Sequence, residues 1–125
     1  MNSYELPFAK INILQDDIAE VIVDKDIEFN VLMVDGLHRS LISKLKSPFS
    51  ILVNRANQYT YDFEAQLKIG DIEQMHAVAV VTYSKTSTLV AKGMEKMPRS
   101  TTRIVQFFSV REDALKWLIH EQNNL

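Results

Sequence analysis

Two short stretches carry residue types that recognise other molecules. One holds Asn54, Arg55, Asn57, Tyr59, Thr60 and Tyr61, the other Tyr83, Ser84 and Lys85. Arginine presents a rigid fork of N–H donors suited to carboxylates and phosphates, tyrosine a hydroxyl that can donate a hydrogen bond or a proton, and the amides and small hydroxyls both donate and accept. An enzymatic reading would make Tyr59 or Tyr61 the proton donor and Arg55 the anion clamp. No general base is evident within the same loop, so the set suits holding a molecule better than converting it. No catalytic residue is therefore assigned, and the nine side chains stand as candidates for binding a ligand or partner. The alternative is a wet loop whose tyrosines cover the edge of a sheet.

Spacing and composition exclude other chemistries. Gly36, Gly70 and Gly93 lie too far apart for a phosphate-cradling loop, a dinucleotide fingerprint or a nucleophile elbow. The absence of cysteine removes thiol nucleophiles and cysteine-rich zinc sites. His38, His76 and His120 fall on three different elements with no partner histidine one turn away, so neither a metal site nor a cofactor is expected. The pairs Asp16-Asp17 and Asp24/Asp26 fall at turns, where aspartate bonds the local backbone. Fourteen basic residues against sixteen acidic ones, scattered along the chain for a net charge of -2, make nucleic acid an unexpected partner. No apolar run approaches the ~20 residues that span a bilayer, and the first residues lack a basic start followed by an apolar core. A cytoplasmic protein without membrane insertion is expected.

The elements that must position the two stretches follow from hydrophobic pattern. Ala77 to Val81 is an unbroken run of small or β-branched apolar residues, which needs cover on both faces and reads as the central strand of a parallel sheet. Ile51-Leu52-Val53 reads as a second buried strand beside it. Each candidate stretch then leaves the carboxyl end of a parallel strand, where open α/β sheets take ligands. Upstream, Phe8 to Leu14 and Ile18 to Val23 predict an antiparallel hairpin. Asn30 predicts a cap for a helix from Val31 to Leu45, with Phe29 and Val34 as its hydrophobic staple and Val31, Val34, Leu37, His38, Leu41 and Leu45 at helical spacing on one face. A short helix over Phe63 to Ile69 is expected with Thr60 as cap. A third over Thr86 to Met97 should present Leu89, Val90, Gly93, Met94 and Met97 on one apolar face, with Met94 and Met97 read as core filler rather than as the lining of a ligand pocket. After a strand at Arg103 to Phe108, Ser109-Val110-Arg111-Glu112 reads as a capping box opening a last helix that buries Trp117 and Leu118. Residues 1–125 are thus expected to form one α/β domain, a mixed sheet of about five strands with an N-terminal antiparallel hairpin and about four helices.

Four segments carry a family resemblance: Ser47 to Asn54, Tyr59 to Ala65, Ala77 to Tyr83 and Ala114 to Leu118. Together they make the chain, over roughly Lys10 to Ile119, resemble a bacterial SpoIIAA-like protein of the STAS superfamily. The resemblance implies a non-enzymatic module, whether an anti-sigma-factor antagonist, a regulatory tail of an anion transporter or a ligand sensor. In the antagonists a phosphorylated serine opens the helix after the third strand within Asp-Ser-Ser-Gly. Here the matching place reads Gln58-Tyr59-Thr60-Tyr61-Asp62. Thr60 alone could stand in as phosphoacceptor, and it is read instead as a helix cap. The expected function is a regulatory or protein-interaction module that binds a protein partner or itself. The alternative is a small-molecule or lipid carrier using the crevice at the strand ends.

Overall fold

The computed structural model describes residues 2–125. In chain order its elements are β1 (Ser3–Leu6), β2 (Ala9–Gln15), β3 (Ile18–Val23), β4 (Glu28–Phe29), α1 (Val31–Lys44), β5 (Phe49–Asn54), β6 (Thr60–Tyr61), α2 (Phe63–Lys68), β7 (Met75–Val81), α3 (Lys85–Glu95), β8 (Ile104–Phe108) and α4 (Arg111–Asn123). Six strands form one mixed sheet in the order β1-β2-β3-β5-β7-β8, and β4 with β6 makes a separate two-stranded ribbon. The expected hairpin is β2 with β3, and from β3 onwards every neighbour is parallel.

Because the parallel strands lie side by side in chain order, right-handed crossovers put the intervening helices on one face. Val34, Leu37 and Leu41 of α1, Ala65 of α2 and Ala91 of α3 accordingly share a core with Val21, Ile51, Val78 and Val80. On the opposite face α4 packs alone, its Ala114 and Leu118 against Ile18, Leu52, Ala77, Ala79 and Val81. The central run is therefore covered on both sides, as its lack of alternation demands. The Asn30 side chain accepts from the Met33 N–H, and Phe29 and Val34 are both fully buried, so cap and staple lie where expected.

Several local expectations are corrected. The sheet gains β1, an edge strand whose mostly exposed residues carry no burial pattern; main-chain pairing with β2 holds it. Thr60 does not cap α2: it lies exposed in β6, and its N–H donates to the Ile27 carbonyl at 2.9 Å. The cap is Asp62, whose carboxylate accepts from the Ala65 N–H at 2.9 Å. The capping box before α4 does not form either, since Val110 occupies the cap position without a side-chain bond. What seats α4 is longer-range: Arg111 in its first turn reaches Glu20, and Gln122 in its last turn reaches Ser50, Asp17 and the Pro48 carbonyl. Leu118 is buried, but Trp117 is only half-buried, tilted against Phe108 at 5.8 Å. Finally, α3 turns its apolar strip outwards. Its small Ala91 meets the sheet, and Leu89 and Val90 are left 72% and 49% exposed.

The corrected cap has a direct consequence. Asp62→Ala should lower stability by about 1 kcal/mol, while Thr60→Ala should change it by less than about 0.5 kcal/mol. Urea midpoints at unchanged slope would measure both, and the reverse order of effects would show Thr60 to be the cap.

Candidate binding groove

Both candidate stretches begin where a buried strand runs out. After Asn54 the backbone stays tied to the sheet for one more residue, the Arg55 N–H donating to the Val81 carbonyl at 3.0 Å. The chain then crosses the strand ends and is fastened by the ribbon, through Asp26 N–H to Gln58 and Asp62 N–H to Phe29, before Asp62 starts α2. On the other side Ser84 caps α3 by accepting from the Ser87 N–H. Between these two lips lies an open groove of about 830 Å³. Arg55, Asn57, Tyr59, Thr60, Tyr61, Tyr83 and Ser84 line it, together with Thr86, Ser87, Val90 and Met94 of α3. A smaller, mainly apolar cavity of about 80 Å³ lies beneath, sharing Arg55, Tyr59, Tyr61 and Met94 with the groove.

An aromatic cluster builds the wall. Phe29 is stacked on Tyr61 at 5.0 Å and meets Phe8 edge-on at 5.2 Å, while Tyr59 meets Tyr61 at 5.6 Å. Arg55 lies over the Tyr59 ring with its guanidinium carbon 4.4 Å from the centroid, and its Nη1 donates to the Tyr59 hydroxyl at 3.2 Å. Its Nε reaches the Ser87 hydroxyl at 3.4 Å, a long and weak bond. Burial pushes the Tyr59 hydroxyl above its ordinary value, with the Arg55 charge pulling the other way. The phenol therefore stays protonated at neutral pH and can donate.

Two of the nine candidates fall outside this groove. Asn54 turns to the α4 face, where its amide donates to Glu20 at 2.9 Å and its carbonyl accepts from the Tyr83 hydroxyl at 2.9 Å. Lys85 projects on the far side of the Tyr83–Ser84 lip, alongside Lys92 and Ser109. Of the seven inside, Asn57 has a structural partner, donating to the Val23 carbonyl at 3.0 Å, and Thr60 sits on the rim.

Sequence reasoning missed the contribution of α3, since its apolar residues were expected to face the sheet. It also missed the ion pair under Asn54: Arg111 grips Glu20 through Nε and Nη2 at 2.8 and 2.9 Å, with Asn12 adding a third donor. The visible signal was Glu20 itself, a carboxylate inside the apolar strand Ile-Ala-Glu-Val-Ile-Val. Burial pushes its carboxyl up, but the bonds from Arg111, Asn54 and Asn12 outweigh that and hold it below the ordinary range.

The histidines stay apart. His38 is buried, its pKa lowered by that burial, and its Nε2 accepts from the Gly70 N–H at 3.1 Å, a bond the neutral ring supplies. His76 meets Glu121 at 3.1 Å, and His120 is exposed. Among the described residues no three potential ligands gather to hold a metal ion. Compared with known proteins, the chain matches no family model and no curated protein.

Proposed function

We propose that the chain is a non-enzymatic regulatory module of the SpoIIAA-like, STAS kind, acting in the cytoplasm by binding a protein partner or itself, with the groove beside Arg55 as its recognition surface. The observation that carries this reading is the convergence of two loops from the carboxyl ends of β5 and β7 on one open groove. Beside that groove α3 turns Leu89 and Val90 outwards, so a hydrogen-bonding floor borders an apolar strip. Contact surfaces combine the two in this way. Leaving aside the short β4–β6 ribbon, the order of elements from β2 to α4 is the one expected from the hydrophobic pattern, which is compatible with the family resemblance. With Asp62 as the cap, Thr60 loses the helix N-terminus that would have favoured a phosphate on it, which argues against the antagonist pathway.

A second reading, a small-molecule or lipid carrier in the same crevice, draws on the size of the groove. Its volume of about 830 Å³ falls within the roughly 300–1,000 Å³ of small-molecule sites. The cavity beneath, at about 80 Å³, has no room for an enclosed lipid, so a carried ligand would lie in the groove itself. Native mass spectrometry of gently purified protein separates the readings. The interaction module predicts a defined self-complex or hetero-complex that Val90→Asp disrupts. A small retained mass on an otherwise monomeric chain would transfer the assignment to the carrier, and a bare monomer unaffected by the substitution would overturn the contact reading.

A further inference from the structure

Arg55 is the anomaly of the groove. A buried guanidinium is ordinarily paired with a carboxylate or saturated by carbonyls, because removing a charge from water is unfavourable unless something replaces the water. The other arginines that make contacts within the protein follow that rule. Arg103, enclosed, pairs with Glu95 at 2.7 Å, and Arg111, partly open to solvent, pairs with the buried Glu20. Arg99 makes four bonds to the carbonyls of Gln66, Ile69, Met94 and Met97. Arg55 is only 8% exposed, yet among the described residues no carboxylate lies within ion-pair distance of it. Its partners are two neutral hydroxyls, those of Tyr59 and Ser87. Among the described residues Nη2 finds no bonding partner and is not an enclosed orphan either, so it is open to solvent on a side chain that lines the groove and the cavity beneath.

What surrounds that nitrogen favours negative charge. Ser87 belongs to the first turn of α3, a turn with no acidic residue, so the guanidinium is held against the positive end of an eleven-residue helix. The first-turn N–H groups have no intrahelical acceptor, and of these Ser84 takes that of Ser87, while Thr86 lines the groove. Further along the same wall Val90 and Met94 are apolar. A cation, a phenol donor and a helix N-terminus meet beside the apolar α3 wall, while Asp26, Gln58 and Gln66 line the groove elsewhere, so the arrangement specifies an amphipathic occupant with its charge at Arg55 and its apolar body against α3.

We propose that the groove binds a small organic anion, its carboxylate or phosphate oxygen held by Arg55 Nη2 and the hydroxyls of Tyr59 and Ser87, and its apolar body lying along Val90 and Met94 of α3. This deepens the second reading of the groove given above, a small-molecule site, and rests on it. It also predicts that Arg55 serves the ligand rather than the fold. Removing a desolvated cation that has no anion should leave the empty protein as stable as before or more so, the trade seen where binding sites are kept at the expense of stability.

Benzoate and phenyl phosphate, with benzamide as the uncharged control, are suitable probes for titration followed by amide and arginine-side-chain NMR. The expected result is that at least one of the two anions shifts the signals of Arg55 Nε, Thr86 and Ser87 saturably, and that benzamide binds more weakly. Arg55→Gln should weaken the anion by about tenfold or more without lowering the thermal midpoint, and Arg55→Lys should restore part of the affinity. Which anion binds more tightly distinguishes a carboxylate from a phosphate ligand. If benzamide and the anions shift the groove signals equally, the groove recognises ligands but the anion assignment fails. If Arg55→Gln melts well below wild type and binds as before, Arg55 is a structural residue and the proposal is overturned. If no probe shifts any groove signal, the small-anion proposal is overturned, while the protein-contact role stands or falls on the native-mass test above.

Discussion

Phe29→Ala is expected to destabilise the protein by about 3–5 kcal/mol, the range for truncating a fully enclosed aromatic ring. Phe29 is the residue on which three separate features rest. It ends β4, it precedes the Asn30 cap and staples α1 through Val34, and its ring is in contact with Phe8, Tyr59 and Tyr61. Little can collapse into the space it leaves, because the sheet strands on one side and the capped helix on the other are fixed by backbone bonds. The loss should also reach the groove: with the stack under Tyr61 removed, Tyr59 and Arg55 lose the surface that orients them. Guanidinium or urea denaturation at unchanged slope measures the first effect, and loss of the aromatic near-ultraviolet dichroism the second. A loss below about 1 kcal/mol would mean that the ring is not packed in this way.

The second large effect concerns the ion pair that seats α4. Arg111→Ala should cost about 3 kcal/mol at neutral pH, the lower end of what breaking a buried pair costs, because Glu20 is enclosed while Arg111 is partly open to solvent. The expense is not the lost attraction so much as the carboxylate left behind with only the amides of Asn54 and Asn12. The pH dependence tests this. In the intact protein the Glu20 pKa is depressed, so its contribution is present above the ordinary carboxylate value of about 4.3 and is lost as pH falls through the lower folded-state value. In Arg111→Ala burial is no longer offset by the arginine, the folded-state value rises, and acidification relieves a penalty instead. The gap between the two proteins should therefore narrow from pH 7 towards pH 4. A gap that stays constant would show that Arg111 acts through its packing, and Glu20→Gln/Arg111→Met should recover most of the loss if charge is the cause.

What could be read from the residues alone was whatever neighbouring positions decide among themselves. Ala77 to Val81 declared a strand covered on both faces because alternation along a strand reports burial directly, and the chain bears this out with helices on both sides. The Asn30 cap and the Phe29–Val34 staple were legible for the same reason: their partners lie within one helical turn. The loops at the ends of β5 and β7 were found because strand direction fixes which end is carboxyl. Seven of the nine residues so chosen meet in one groove.

Tertiary structure decided the rest wherever a local preference competed with a distant partner. Thr60 was as good a cap as Asp62 by residue type, but bonding to Ile27 drew it into the ribbon and left the cap position to Asp62, directly before the helix. The outward apolar strip of α3 depended on which residue could approach the sheet, and the small Ala91 did. Asn54 was removed from the groove by Glu20, and Glu20 was made tolerable by Arg111, 91 residues away. A sequence announces an apolar residue's need for burial through its immediate neighbours. The partner of a buried charge is set only when the sheet and the last helix have closed over it.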